Sequence, residues 1–133
     1  MAKTYHVFIS HSWSHVDDLK SLRNLLQSRG YFNVEFTEAP PTDSINSANS
    51  YYVRQRLSEK IVSSDVVLGI AGLYASFSEW MKWELDKAIE KKVPIIGVIP
   101  RGHERVSTVV SSRADEIVHW NTESIVAAIR RNA

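Results

Sequence analysis

Short apolar runs alternate along the chain with segments in which apolar residues recur every three or four positions. The second pattern follows Val16, Tyr52 and Met81, and it is the spacing of one buried helix face. The runs between these segments have the length of strands and end in glycine, proline or polar residues. The pattern predicts strands over residues 5–9, 31–36, 66–71, 93–99 and 116–120, and helices that begin near Val16, Tyr52, Ser78, Val106 and Thr122.

The third and fourth predicted strands lack the alternation of apolar and polar residues that marks a strand with one wet face. Strands that are covered by helices on both faces have this composition. The regular succession of strands and helices therefore predicts an α/β fold. We expect a five-stranded parallel sheet in the order 2-1-3-4-5, with helices on both faces. In such a sheet, ligands bind beyond the carboxyl ends of the strands.

Composition narrows the class of protein further. A chain of 133 residues predicts one domain, over residues 1–133. Its 16 lysines and arginines stand against 15 acids, so the net charge of +1 does not favour nucleic acid as a partner. The absence of cysteine excludes disulfides, thiolate metal sites and cysteine nucleophiles. No apolar run reaches the roughly 18 residues of a membrane span, and the N-terminus lacks a signal-peptide pattern, so we expect a cytoplasmic protein without a membrane partner.

Several familiar sites are absent from the sequence. It contains no P-loop, no glycine-rich dinucleotide fingerprint and no Gly-x-Ser-x-Gly element. The five histidines are scattered, so we predict no metal site. A receiver domain would need an acidic pair after the first strand, but Asp17 and Asp18 lie too far into the first helix.

Polar and aromatic residues follow the first predicted strand. The segment Ser10-His11-Ser12-Trp13 stands at its carboxyl end, the position that faces the cleft of a parallel sheet. Its hydroxyl, imidazole and indole groups could together hold a polar, aromatic ligand. The alternative is that Ser12 or Ser14 caps the first helix.

The predicted helix over residues 78–92 carries one acid close to its buried face. At about 100° per residue, Glu84 lies at the edge of that face and one turn after Trp80. A partly buried carboxylate beside an aromatic ring can hold a cation or a sugar hydroxyl, and its pKa is open to large shifts. The alternative is a boundary glutamate paired with Lys87 or Lys91. The predicted buried face consists of Met81, Leu85, Ala88 and Ile89.

The longest polar stretch covers residues 39–50 and includes Asp43. At about 12 residues it exceeds the usual connection between elements, and loops of this length are often functional. We interpret it as a lid or an assembly surface, with a solvated connector as the alternative.

Together these segments resemble a Toll–interleukin receptor (TIR) domain. Phe8-Ile9-Ser10-His11-Ser12 is similar to the first TIR box, and residues 39–50 occupy the place of the loop after the second strand. The helix with Trp80 and Glu84 resembles the one that carries the Trp-x-x-x-Glu element of NAD-cleaving TIR domains. The resemblance is closer to the compact ThsB-type TIR-like proteins of Thoeris antiphage systems, through residues 8–13, 66–84, 94–98 and 114–127.

The resemblance implies a flavodoxin-like three-layer sandwich and cleavage of the nicotinamide–ribose bond of NAD+. The enzyme would be an NAD+ glycohydrolase or ADP-ribosyl cyclase that makes a (cyclic) ADP-ribose-type signalling nucleotide in antiphage defence, with NAD+ as substrate and no other cofactor. Glu84 would be the catalytic residue. The implied substrate-binding residues are Phe8, Ser10, His11, Ser12, Trp13, Asp43, Tyr74 and Trp80. The implied partners are further copies of the chain and a separate effector protein, reached through the nucleotide.

Two departures from the TIR pattern keep an alternative open. His11 stands where an aromatic residue is common in the first box, and residues 39–50 lack the Pro-Gly pair of receptor-type TIR domains. The main alternative is a TIR-fold module that binds other proteins or a nucleotide without turnover. A flavin- or phosphate-binding protein of the same fold is a third.

Overall fold

The computed structural model describes residues 4–10, 16–28, 33–37, 50–71, 79–99 and 107–133. Strands and helices alternate through these residues, as the hydrophobic pattern predicts. The strands are β1 (Thr4–Ser10), β2 (Asn33–Thr37), β3 (Val66–Ile70), β4 (Ile95–Ile99) and β5 (Glu116–His119). The helices are α1 (Val16–Gln27), α2 (Ser50–Val62), α3 (Glu79–Glu90), α4 (Thr108–Ser111) and α5 (Thr122–Asn132). Ser50, assigned above to the polar stretch 39–50, is the first residue of α2, and the rest of that stretch lies outside the described residues.

The described strands form one parallel sheet in the order β2-β1-β3-β4-β5. The α/β class with a parallel sheet is therefore confirmed. Every residue of β3 and of β4 is buried, in agreement with the absence of polar alternation in these two strands.

Alternation along β1 divides the core into two layers. Val7 and Ile9 join a cluster with apolar residues of α1 and α5, whereas Phe8 joins a cluster with residues of α2, α3 and α4. Because side chains alternate between the faces of a strand, Ser10 shares the face of Phe8 and is directed toward the layer of α3. This placement brings a polar strand end under a helix that carries an acid.

The buried face of α3 is rotated relative to its prediction. Met81, Leu85 and Ala88 are fully buried as expected, but Ile89 is 52% exposed. On a helix, Ile89 lies about 80° from Met81 on one side and Glu84 about 60° from it on the other. Glu84 is 3% exposed, so the face that packs on the sheet is shifted toward Glu84 and away from Ile89. The assignment of Ile89 to the buried face was therefore wrong.

A row of small residues crosses three neighbouring strands beneath α3 and α4. Ser10 of β1 is paired with Gly69 of β3, which is paired with Gly97 of β4. A Cβ at Gly69 would lie 3.4 Å from Val110 Cγ1 of α4 and 3.5 Å from Leu85 Cδ2 of α3. The missing side chain therefore allows both helices to approach the sheet closely beside Ser10.

The Gly97→Ala substitution is expected to lower the free energy of unfolding by about 1 to 3 kcal/mol. The new Cβ would lie 3.0 Å from Val110 Cγ1 and 3.3 Å from Ile117 Cγ1, so neighbouring side chains must shift. Urea unfolding followed by circular dichroism measures the change. Gly69→Ala is the matched control, because its nearest atom is 3.4 Å away, and it should cost less. Equal losses for the two variants would contradict this view of the row.

Among the helices that the structure describes, none has both the length and the apolar character needed to cross a bilayer.

Candidate active site

The site is built on the last residue of β1. Ser10 closes the strand at its carboxyl end and is fully buried. Its hydroxyl lies on the α3 side of the sheet, and its backbone is paired with that of Gly69. In parallel α/β sheets this edge is where ligands bind.

Glu84 of α3 meets Ser10 across the layer between helix and sheet. The Ser10 hydroxyl donates a hydrogen bond to Glu84 Oε1 over 2.7 Å, and the contact is buried. The two residues are separated by 74 positions in the chain. The rotation of α3 toward Glu84 and the small size of Ser10 and Gly69 together place the carboxyl group at the strand end.

Burial dominates the electrostatics of Glu84. It raises the pKa of the carboxyl group from 4.5 to about 8, and the hydrogen bond from Ser10 acts in the opposite direction. A carboxyl group removed from water favours its neutral form, because the anion loses hydration that a single hydroxyl cannot replace. Near neutral pH this pKa favours the protonated acid.

The contacts of Glu84 do not agree with the alternative, in which it is a boundary residue paired with a lysine. Lys87 Nζ lies 2.5 Å from Glu90 Oε2 and 5.5 Å from the centre of the Trp83 ring. Lys87 and Lys91 both lower the pKa of Glu90. The described contact of the Glu84 carboxyl group is the Ser10 hydroxyl instead.

The other predicted site residues are placed as follows. Phe8 is fully buried in the cluster with α2 and α3, where it packs beneath the site. Trp80 lies on α3 one turn before Glu84, and only its backbone is described. Five predicted residues lie outside the described part of the chain, and so does the choice of Ser12 or Ser14 as a helix cap: His11, Ser12, Trp13, Asp43 and Tyr74. Within the described residues, no group of acids and histidines of metal-binding size occurs.

A cavity lies at the other end of the strands, away from Ser10. It has a volume of about 400 Å³ and is lined in part by Ile89, Lys92, Arg113 and Arg131. Pro94 and Asp115, which also line it, stand just before β4 and β5, so it is at the amino ends of these strands. Arg113 and Arg131 are already paired, with Asp86 and Glu116. This cavity is therefore separate from the contact between Ser10 and Glu84.

A family model described as "Thoeris protein ThsB, TIR-like domain" matches residues 8–105. The chain belongs to the ThsB TIR-like family. The match includes the strand end at Ser10 and the helix that carries Glu84. Elements α4, β5 and α5 lie beyond it and complete one edge of the sheet.

Solved structures agree with the family at the level of the fold. A 2-deoxyribosyltransferase from the psychrotolerant bacterium Bacillus psychrosaccharolyticus superposes with a TM-score of 0.60 and 16% identity, over 93% of this chain and 95% of that chain. The CMP N-glycosidase BcmB from Clostridium botulinum superposes with a TM-score of 0.55 and 11% identity, over 94% of this chain and 98% of that chain. A search of curated proteins finds no match.

Gly69 is the residue of this site that sequence reasoning did not single out. A glycine inside an otherwise apolar strand signals a close approach by another element. Gly69 within Val66–Ile70 carries this signal, and the elements that approach it are α4, through Val110, and α3, through Leu85.

Proposed function

We propose that this member of the ThsB TIR-like family cleaves the nicotinamide–ribose bond of NAD+ and produces a (cyclic) ADP-ribose-type signalling nucleotide in bacterial antiphage defence. The observation that carries the proposal is the buried hydrogen bond between Ser10 and Glu84 at the carboxyl end of β1. A carboxyl group kept in an apolar layer costs folding stability, and such groups occur preferentially at functional sites. Membership of the family supports the biological setting.

The chemistry suits a single carboxylate. The bond between ribose C1′ and the nicotinamide nitrogen breaks, and its electron pair leaves with nicotinamide, which thereby becomes neutral. Positive charge develops on the ribose, as in other glycosidic cleavages. The Glu84 carboxylate stabilises that charge and can bind a ribose hydroxyl, and a low-dielectric site strengthens both interactions. No proton needs to be given to the leaving group.

The protonation state of Glu84 fits a substrate with a cationic nicotinamide ring. Burial keeps the pKa of the free carboxyl group near 8, so that it is mostly neutral before binding. The pyridinium charge of NAD+ favours the anion and lowers this pKa. The site then carries its negative charge when the substrate is present to use it.

The nucleophile decides the product. A water molecule that attacks C1′ gives ADP-ribose, whereas a hydroxyl group of the ADP-ribose part gives a cyclic product. In either case the attacking oxygen forms the new bond to C1′ and loses a proton to Glu84 or to solvent. Exclusion of water from the closed site favours the cyclic product.

The partners in this proposal are NAD+ as substrate, other copies of the chain, and an effector protein that binds the nucleotide. Neither a metal nor a further cofactor takes part. The 2-deoxyribosyltransferase and the N-glycosidase described above share the fold alone with this chain, so the proposal does not depend on their reactions.

The deciding experiment incubates the purified chain with NAD+ and follows NAD+ loss and product mass. The chain is tested dilute, concentrated, and in lysate from phage-infected cells. Glu84→Gln is run beside the unchanged chain. Glu90→Gln is the matched control, because the same substitution is made on the same helix at an exposed residue.

NAD+ loss that disappears in Glu84→Gln and persists in Glu90→Gln would support the proposal, and the product mass would separate hydrolysis from cyclisation. If none of the three conditions gives turnover, the proposal is wrong. The non-catalytic TIR-fold module would then be the better description of the chain.

A further inference from the structure

We infer that Ser10 is a positioning residue that acts through Glu84 and does not touch the substrate. The inference rests on the proposed function for its kinetic consequence, but the contact itself is independent of any activity. It changes the role of Ser10 from the sequence-based expectation, in which this side chain lines the nucleotide pocket.

Burial is the first argument. Ser10 has no exposed surface, whereas Glu84 retains 3% exposure. The Ser10 hydroxyl uses its proton in the 2.7 Å hydrogen bond to Glu84 Oε1. The hydroxyl therefore has neither exposed surface nor a spare proton with which to contact a ligand.

The apolar surroundings are the second argument. Phe8, on the same face of β1, and Leu85, beside Glu84 on α3, are both fully buried in one apolar cluster. A glutamate has three rotatable side-chain bonds, and apolar neighbours offer it no directional contact. Ser10 supplies that direction, because a hydroxyl donor aligns the oxygen that accepts its proton.

The assignment of the two oxygens follows. Oε1 accepts from Ser10, which leaves Oε2 to face the ribose in the proposed reaction. Small displacements of a catalytic group are costly, since about 1 Å of misplacement can reduce the rate roughly 100-fold. Removing the Ser10 hydroxyl should therefore reduce kcat, by about 10- to 100-fold, and leave KM unchanged within about two-fold.

The test compares Ser10→Ala, which keeps the packing volume, with Ser10→Thr, which restores a hydroxyl. Ser64→Ala is the matched control, because Ser64 is also buried and also donates a 2.7 Å hydrogen bond, to the Lys60 carbonyl oxygen of α2. Steady-state kinetics with NAD+ and thermal unfolding are measured for all three. We expect the full loss of kcat in Ser10→Ala, a smaller loss in Ser10→Thr and no loss in Ser64→Ala. A raised KM with unchanged kcat, or no kinetic change at all, would overturn the inference.

A second readout does not require turnover. The titration of Glu84 is followed by NMR in protein whose glutamates carry ¹³C at the side-chain carboxyl carbon. Glu84→Gln is used to assign the signal. Burial and the Ser10 hydroxyl govern this titration, since Lys87 is paired with Glu90, Arg113 with Asp86, and Lys82 is exposed. Ser10→Ala should raise the midpoint, because the hydroxyl favours the anion.

The two readouts separate the possible failures. An unchanged midpoint in Ser10→Ala would overturn the inference even if the chain cleaves NAD+. A raised midpoint in a chain without NAD+ turnover would support the contact and reject the proposed function.

Discussion

Glu84→Gln is expected to slow NAD+ cleavage by roughly 1000-fold or more, because one preorganised electrostatic group commonly contributes 100- to 1000-fold to kcat and this one opposes a full positive charge. The amide has nearly the volume of the acid and can still accept the proton of Ser10, so the fold should remain. Single-turnover rates at saturating NAD+ measure the effect on the chemical step. Glu90→Gln should keep the rate of the unchanged chain.

The outcome that would contradict this expectation is a residual rate above about a hundredth of that of the unchanged chain, since a group of this kind contributes at least about 100-fold. Circular dichroism of the variant excludes unfolding as the cause of a larger loss.

The same substitution is expected to stabilise the folded chain more at pH 8 than at pH 5, compared with the unchanged chain at the same pH. Burial raises the pKa of Glu84 to about 8 in the folded chain, whereas the ordinary value is 4.5. At a pH between these two pKa values, Glu84 keeps its proton in the folded chain and has lost it in the unfolded chain. The free energy of unfolding then falls as pH rises, by about 1.4 kcal/mol per pH unit. Over the whole window this sums to on the order of 5 kcal/mol, and Glu84→Gln removes it.

Urea unfolding of both chains at pH 5 and pH 8 measures this difference. The stability of Glu84→Gln minus that of the unchanged chain should grow with pH, while other titrating groups cancel in the subtraction. Glu90→Gln should show no such growth, because the pKa of exposed Glu90 is lowered instead. A difference that is equal at the two pH values would mean that Glu84 is ionised in the folded chain well below pH 8.

These two expected results form a pair. One substitution should remove activity and add stability, because the cost of burying an ionisable group is accepted where the ionised form is used. A glutamate held as the anion in a stabilising ion pair would instead lose stability on substitution near neutral pH.

The α/β class could be predicted because it depends on local patterns. Apolar runs without alternation predicted β3 and β4, and both strands are buried throughout. Helical periodicity predicted α3, but not its rotation about its own axis. Glu84 and Ile89 lie at opposite edges of the apolar face, and periodicity alone cannot decide which edge is buried. The packing of α3 against Gly69 buries Glu84, and this is a tertiary effect.

The residues of the candidate site could be predicted from the sequence, but the contact between them could not. Ser10 was conspicuous at a strand end and Glu84 beside an apolar helix face. Their hydrogen bond joins positions that are far apart in the chain, and it depends on the parallel register that places Ser10 beside Gly69. Phe8 and Ser10 were predicted to bind the substrate; both are buried, and the alternation of β1 directs them into the layer of α3.

How deeply the Glu84 carboxyl group is buried depends on the small residues of the row Ser10–Gly69–Gly97, none of which is an acid or a base. Val110 lies over both glycines, so volume added at Gly97 on β4 would press on a side chain that also packs over Gly69 on β3. A related chain could therefore keep Ser10 and Glu84 and still lose their contact through one methyl group two strands away. If the proposed reaction is inherited in this family, it should follow the glycines as closely as it follows the glutamate.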